Sequence, residues 1–137
     1  MTSTDGRLAS AHLESGAKPY AQTIRVGHHT LTADEPAAIG GADAGPSPYG
    51  LLLSALAACT SITLHMYAER TGWQLDVIHV DLVVSRDGEI ERIARTIRLP
   101  TTVTDEQRAR LAEIAEKTPV TKTLKRGMPI VTTFVNE

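Results

Sequence analysis

The stretch from Ser47 to Gly72 constrains this chain most. Ser47 and Pro48 open it as an N-cap and a first helical residue. Leu51-Leu52-Leu53-Ser54-Ala55-Leu56-Ala57-Ala58-Cys59 follows, and apolar positions run nearly all round the predicted helix. Gly72 suits the left-handed position that ends it. The most apolar run is too short to span a bilayer and leads into His65, Glu69 and Arg70. It therefore reads as the buried helix of a soluble core. The 137 residues have the mass for one domain, 1–137, with a sizeable core. Aromatic residues make up only 4%, so Leu, Ile, Val and Ala must build that core.

The rest of the chain alternates strands with short helices. Residues 7–14 and 20–26 read as strands, and Gly27-His28 predicts a tight hairpin into a strand at 29–34. Residues 35–47 form a loop rich in Gly, Ala and Pro. After the helix, residues 75–86 alternate with apolar side chains on both faces, which predicts a central strand. Asp87-Gly88 predicts a type I′ turn into a return strand at 89–99. On that strand Ile93, Arg95, Ile97 and Leu99 share one face.

Thr104 with Gln107 forms a capping-box pattern, and Leu111, Ile114 and Ala115 follow at core spacing. Thr118-Pro119 stops that helix and starts a short one, Gly127 breaks it, and 129–135 reads as a final strand. The predicted order is βββ-α-ββ-α-α-β, an α+β domain.

Fourteen basic and sixteen acidic residues leave a net charge of -2, which gives no footprint for nucleic acid. The polar N-terminus has no apolar signal core, so the expected location is cytoplasmic, with no membrane partner. Lys117, Lys122, Lys125 and Arg126 read as a solvated basic cluster. The glycines of the loop match neither a P-loop nor a dinucleotide-binding turn. His28 and His29, placed on a strand, would point to opposite faces. His12 and His79 are isolated, and His65 is six residues from Cys59. No metal or cofactor is expected.

Cys59 is the sole cysteine, which excludes a disulfide or a CxxC pair within one chain. Two readings of it stay open. It is either a small buried apolar residue or a reactive thiol, and the latter needs a cation supplied from elsewhere in the fold.

Several motifs resemble the OsmC/Ohr family, the osmotically inducible protein C and organic hydroperoxide resistance proteins. They are Gly45-Pro46-Ser47-Pro48-Tyr49, the Leu- and Ala-rich run from Leu51 through Ala58-Cys59-Thr60, Met66-Tyr67-Ala68-Glu69-Arg70, Gly72-Trp73, and Pro119-Val120 with Lys122-Thr123-Leu124. The resemblance covers almost the whole chain. It implies an OsmC-like fold with two curved sheets around central helices, built as an intertwined homodimer. It also implies oxidative-stress defence by thiol peroxidase chemistry on organic hydroperoxides, with Cys59 at the peroxidatic position.

The resemblance implies that the family's resolving cysteine would fall at Thr118 and its activating glutamate at Gly50, so this chain departs from the family pattern at both. Position 50 is also N3 of the helix, where Glu would complete a capping box. Arg25 and Arg7 are the candidates for the arginine that poises the thiolate, with Lys18 a third. Without a resolving cysteine, the implied cycle uses one cysteine and an external thiol reductant. The alternative is a non-catalytic dimeric binder of a small apolar ligand.

Overall fold

The computed structural model describes residues 6–18 and 20–136. The strands are β1 (His12–Ser15), β2 (Gln22–Val26), β3 (His29–Ala33), β4 (His79–Asp87) and β5 (Ile90–Arg98). The helices are α1 (Pro48–Thr71), α2 (Asp105–Ala115) and α3 (Pro119–Arg126). A 3-10 turn covers Ala37–Ile39. The predicted order holds up to α3, and the mixed α+β class with it.

The chain divides into two compact units, one reaching to Leu52 and one from Leu53 onward. α1 starts in the first and continues into the second. The first unit holds an antiparallel sheet in the order β1-β2-β3. Val26 pairs with His29 across the Gly27-His28 turn, as expected. β1 is shorter than residues 7–14 and begins only at His12.

The loop after β3 closes on Asp34, which is 2% exposed. Its carboxylate accepts N–H bonds from Glu35 (2.7 Å), Ala42 (3.2 Å) and Ala44 (3.1 Å). These bonds hold its pKa below the usual aspartate value, with Ala44 and Glu35 contributing most and burial opposing them. Gly41 belongs to the same construction. A Cβ there would lie 1.9 Å from the Glu35 carbonyl oxygen, so only glycine lets the two backbone segments approach. The Gly-rich composition of this loop thus serves close packing around a buried carboxylate.

At the start of α1 the Ser47 hydroxyl accepts the Gly50 N–H at 3.1 Å, which makes Ser47 the N-cap. At its end the Gly72 N–H donates to the Glu69 carbonyl and the Trp73 N–H to the Ala68 carbonyl, a Schellman motif. The buried side chains of α1 are Leu56, Thr60, Leu64 and Ala68, a single stripe at spacing four. Ile62 and Met66 are exposed. The expectation of a helix buried all round therefore fails within one chain. The complete helix, at 24 residues, is also long and apolar enough to cross a membrane, unlike the short run read from the sequence. Its Leu64 nevertheless centres a packed cluster with Leu111 and Ala115 of α2, flanked by Trp73, Leu75 and Ile97.

β4 and β5 form a two-stranded antiparallel sheet. Asp87 pairs with Ile90, so the turn residues are Gly88-Glu89, one residue later than expected. Among the turn pair only Gly88 has positive φ (64°), which is the type II′ pattern and not type I′. β4 lies at a sheet edge among the described residues, and Val83 is exposed, so the expected central position is not found in the single chain.

The capping box of α2 forms as predicted: Thr104 Oγ1 accepts the Gln107 N–H, and Gln107 Oε1 accepts the Thr104 N–H. Pro119 occupies the first position of α3, and Thr118 its N-cap. The expected strand at 129–135 is absent. That segment makes no strand pairing, and Ile130, Val131, Phe134 and Val135 are 81–94% exposed. Its alternation is real, but a strand needs a neighbour for its N–H and C=O groups, and this chain folds none against it.

Candidate functional site

Cys59 sits about three turns into α1 and is partly buried. Its Sγ lies 4.0 Å from Thr63 Oγ1, one helical turn on. A second contact comes from far along the chain. The Val120 N–H donates to Cys59 Sγ at an N···S distance of 3.5 Å. Val120 is the second residue of α3, and the first N–H groups of a helix have no partner within it. The start of α3 thus points an otherwise unpaired donor at the sulfur, where the helix dipole also favours negative charge. Pro119 suits this junction because it fixes φ and has no N–H of its own.

Thr118 precedes that turn and is fully buried. Its hydroxyl does not cap α3 but lies 2.6 Å from Thr121 Oγ1. Thr121 joins a buried polar network centred on Arg95, an arginine missed as a site residue in the sequence. Arg95 Nη1 donates to Thr60 Oγ1 and to Thr121 Oγ1, both at 2.9 Å. Its Nη2 donates to the Ala115 carbonyl at 3.0 Å, at the C-terminal end of α2 where a cation is favoured. The same nitrogen lies 3.4 Å from Glu116 Oε2. Thr60 Oγ1 in turn donates to the Leu56 carbonyl at 2.7 Å.

Lys125 Nζ pairs with Glu116 Oε1 at 2.5 Å, so part of the basic cluster closes back on α2. The Lys125 hydrogen bond is the main cause that holds the Glu116 pKa below the usual glutamate value. The charges of Lys125 and Arg95 add to it, and desolvation opposes it. The signal that marks Arg95 is its place on the Ile93 and Ile97 face of β5, where an arginine needs buried acceptors.

The other candidate residues lie in the first unit. Arg25 is exposed, next to the last residue of β2, opposite His12 on β1 and Thr30 on β3. Arg7 is exposed ahead of β1. Lys18 faces a cleft with Tyr20, Asp34, Gly40 and Gly41. Neither arginine shares a unit with Cys59.

The histidines are dispersed. His65 Nδ1 lies 2.9 Å from the Ser61 carbonyl and its Nε2 lies 3.2 Å from the Asp76 carbonyl, so whichever nitrogen carries the ring proton has an acceptor. His28 is a turn residue, not a strand residue, and its ring lies beside that of His29, centroids 4.0 Å apart and tilted by 37°, instead of pointing away.

An α+β chain with a long cysteine-bearing helix, its sulfur met by a proline-started helix, is the arrangement the sequence motifs lead one to expect of an OsmC-like protein. The chain belongs to that family: the OsmC-like protein model matches residues 40–133. No curated protein matches it in sequence.

Solved structures give the same class. An OsmC-like protein from Mycoplasma pneumoniae superposes with a TM-score of 0.68 at 17% identity, over 87% of this chain and 88% of that one. The organic hydroperoxide resistance protein OsmC from Legionella pneumophila gives 0.64 at 16% identity, over 87% and 90%. The organic hydroperoxide resistance protein OhrB of Bacillus subtilis gives 0.58 at 23% identity, over 87% and 91%. At these identities the likeness is one of fold.

Proposed function

We propose that this protein, a single OsmC-like domain over 1–137, is a cytoplasmic one-cysteine peroxidase that reduces organic hydroperoxides through Cys59. The observation that carries this reading is the Val120 N–H aimed at Cys59 Sγ. A donor in that place receives the negative charge of a thiolate and keeps the sulfur oriented.

The thiolate attacks the terminal oxygen of the hydroperoxide. The O–O bond breaks, an S–O bond forms, and the departing alkoxide takes up the proton that the Cys59 thiol released, so an alcohol leaves and Cys59 becomes a sulfenic acid. No second cysteine exists to close a disulfide within the chain. An external thiol therefore condenses with the sulfenic acid, releasing water and leaving a mixed disulfide. A second thiol then displaces Cys59 as a thiol and carries the oxidation away. The buried Thr118 hydroxyl, bonded to Thr121, supports this one-cysteine cycle at the position where the family places its resolving sulfur.

Arg25 and Arg7 are the proposed cations that poise the sulfur. The working form is a homodimer. The exposed Ile62 and Met66 of α1 and the unpaired apolar segment at 129–135 support a second copy as their cover.

The test exposes the protein to cumene hydroperoxide and follows intact mass and free thiol. Rapid, stoichiometric modification, reversed by dithiothreitol and lost in Cys59→Ser, is expected. A thiol unmodified over hours refutes the peroxidase and favours the apolar-ligand binder.

A further inference from the structure

We infer that Arg95 is a positioning residue for Cys59, acting through the two hydroxyls that follow each partner of the Cys59–Val120 contact. The inference rests on the reading of Cys59 as the reactive group. Thr60 follows Cys59 on α1, and Thr121 follows Val120 on α3. A single guanidinium nitrogen, Arg95 Nη1, donates to both hydroxyls at 2.9 Å. That one atom therefore ties the helix bearing the sulfur to the helix bearing the donor.

The clamp is built of fully committed groups. Thr60 Oγ1 gives its own proton to the Leu56 carbonyl, so it meets Arg95 as an acceptor. Thr121 Oγ1 is shared with Thr118 Oγ1 and stands 3.5 Å from the Ala115 carbonyl. Arg95 has only 12% of its side chain exposed, so water replaces these bonds poorly. A rigid fork of donors can span α1, α3 and the end of α2 together, whereas either threonine alone reaches only its neighbours.

Without the cation, α3 keeps its own hydrogen bonds but loses its tie to α1. The N–H···S contact is then free to open. Arg95 touches no reacting atom, so its effect has to appear as a change in how well the sulfur is held toward its donor.

The experiment measures the rate of Cys59 alkylation by iodoacetamide, read by intact mass on folded protein at neutral pH. Arg95→Met keeps the bulk and removes every donor. It is expected to slow alkylation about 3- to 10-fold, the range of one buried hydrogen bond. Arg95→Lys restores one cation to the two hydroxyls but cannot also reach the Ala115 carbonyl. It is expected to alkylate within about 2-fold of the parent while still unfolding below the parent temperature, because the bond to the Ala115 carbonyl is lost.

That split between reactivity and stability separates positioning from a structural role. Should Arg95→Met fail to fold, Thr121→Val against Thr121→Ser decides the matter: Val slows alkylation and Ser does not. Parental or faster alkylation in Arg95→Met or Thr121→Val, or equal slowing in Arg95→Lys and Arg95→Met, overturns the inference. Alkylation needs no peroxide. A cysteine whose alkylation follows Arg95 but which never reacts with hydroperoxide refutes the peroxidase and leaves the clamp standing.

Discussion

Replacing Thr118 by Cys tests where the start of α3 sits relative to Cys59. Thr118 is two residues before Val120, whose N–H reaches the sulfur, so the backbone at this point runs beside Cys59. A disulfide between positions 59 and 118 would close a loop of 59 residues (118 − 59). Chain entropy assigns such a closure about 4 kcal/mol. Against it stands the lost hydroxyl of Thr118, which lies 2.6 Å from Thr121 Oγ1 in a buried setting. One such bond contributes about 1 kcal/mol net.

The reduced variant should thus be about 1 kcal/mol less stable than the parent, and the oxidised one about 3 kcal/mol more stable. At about 3 °C per kcal/mol for a domain of this size, oxidised and reduced forms should unfold about 12 °C apart. Thermal unfolding after diamide and after dithiothreitol measures the gap, and intact mass shows the loss of two hydrogens. A folded variant in which both thiols stay open to alkylation after diamide refutes the placement of residue 118 beside the cysteine.

Two further predictions address the first unit. Asp34 has a lowered pKa in the folded state, so its contribution to stability is complete above the ordinary aspartate value of 3.8 and fades as pH falls through the lower folded value. Asp34→Asn should therefore be less stable than the parent at neutral pH, and the difference should narrow in acid. A difference in urea midpoint that stays constant with pH would show that the carboxylate charge is not what holds the loop. Gly50→Glu places a helix former and an acidic group at N3, within reach of the Ser47 N–H, and should raise stability by about 1 kcal/mol. Its Cβ would lie 3.3 Å from Ser47 Oγ, so an unchanged or lowered denaturant midpoint would mean that this contact outweighs the gain.

Local chemistry carried most of the fold into view. The Thr104 capping box, the Ser47 cap, the Gly72 stop and the Thr118-Pro119 break each act over a few residues, and each appears where the side chains place it. The misses share a different cause. The alternation at 129–135 signals a strand, yet pairing is a property of two segments, and one chain supplies only one of them. The same holds for β4, whose two apolar faces and edge position do not agree within a single chain. The all-round apolar pattern of α1 likewise asks for more cover than its one buried stripe receives. These three elements concentrate their unsatisfied demand in one chain, which is the physical argument for a partner copy.

The site divides along the same line. Cys59 was legible because its helix and the Pro119-Val120 motif carry it. Arg95 was half legible. Strand alternation puts it among Ile93, Ile97 and Leu99, where an unpaired guanidinium costs several kcal/mol. The pattern therefore states that acceptors must exist without saying where. They come from Thr60, Thr121 and the Ala115 carbonyl, at sequence separations of 35, 26 and 20 residues.

Thr60 and Thr121 look like ordinary helix residues of modest propensity, and neither stands out in composition or motif. Only the fold makes them the supports of the sulfur and of its donor. Under the proposed function, Thr118 does more than stand where the resemblance implies a resolving cysteine. Its hydroxyl extends the Arg95 network by one buried bond, and in the proposed clamp that bond helps to hold α3 in place.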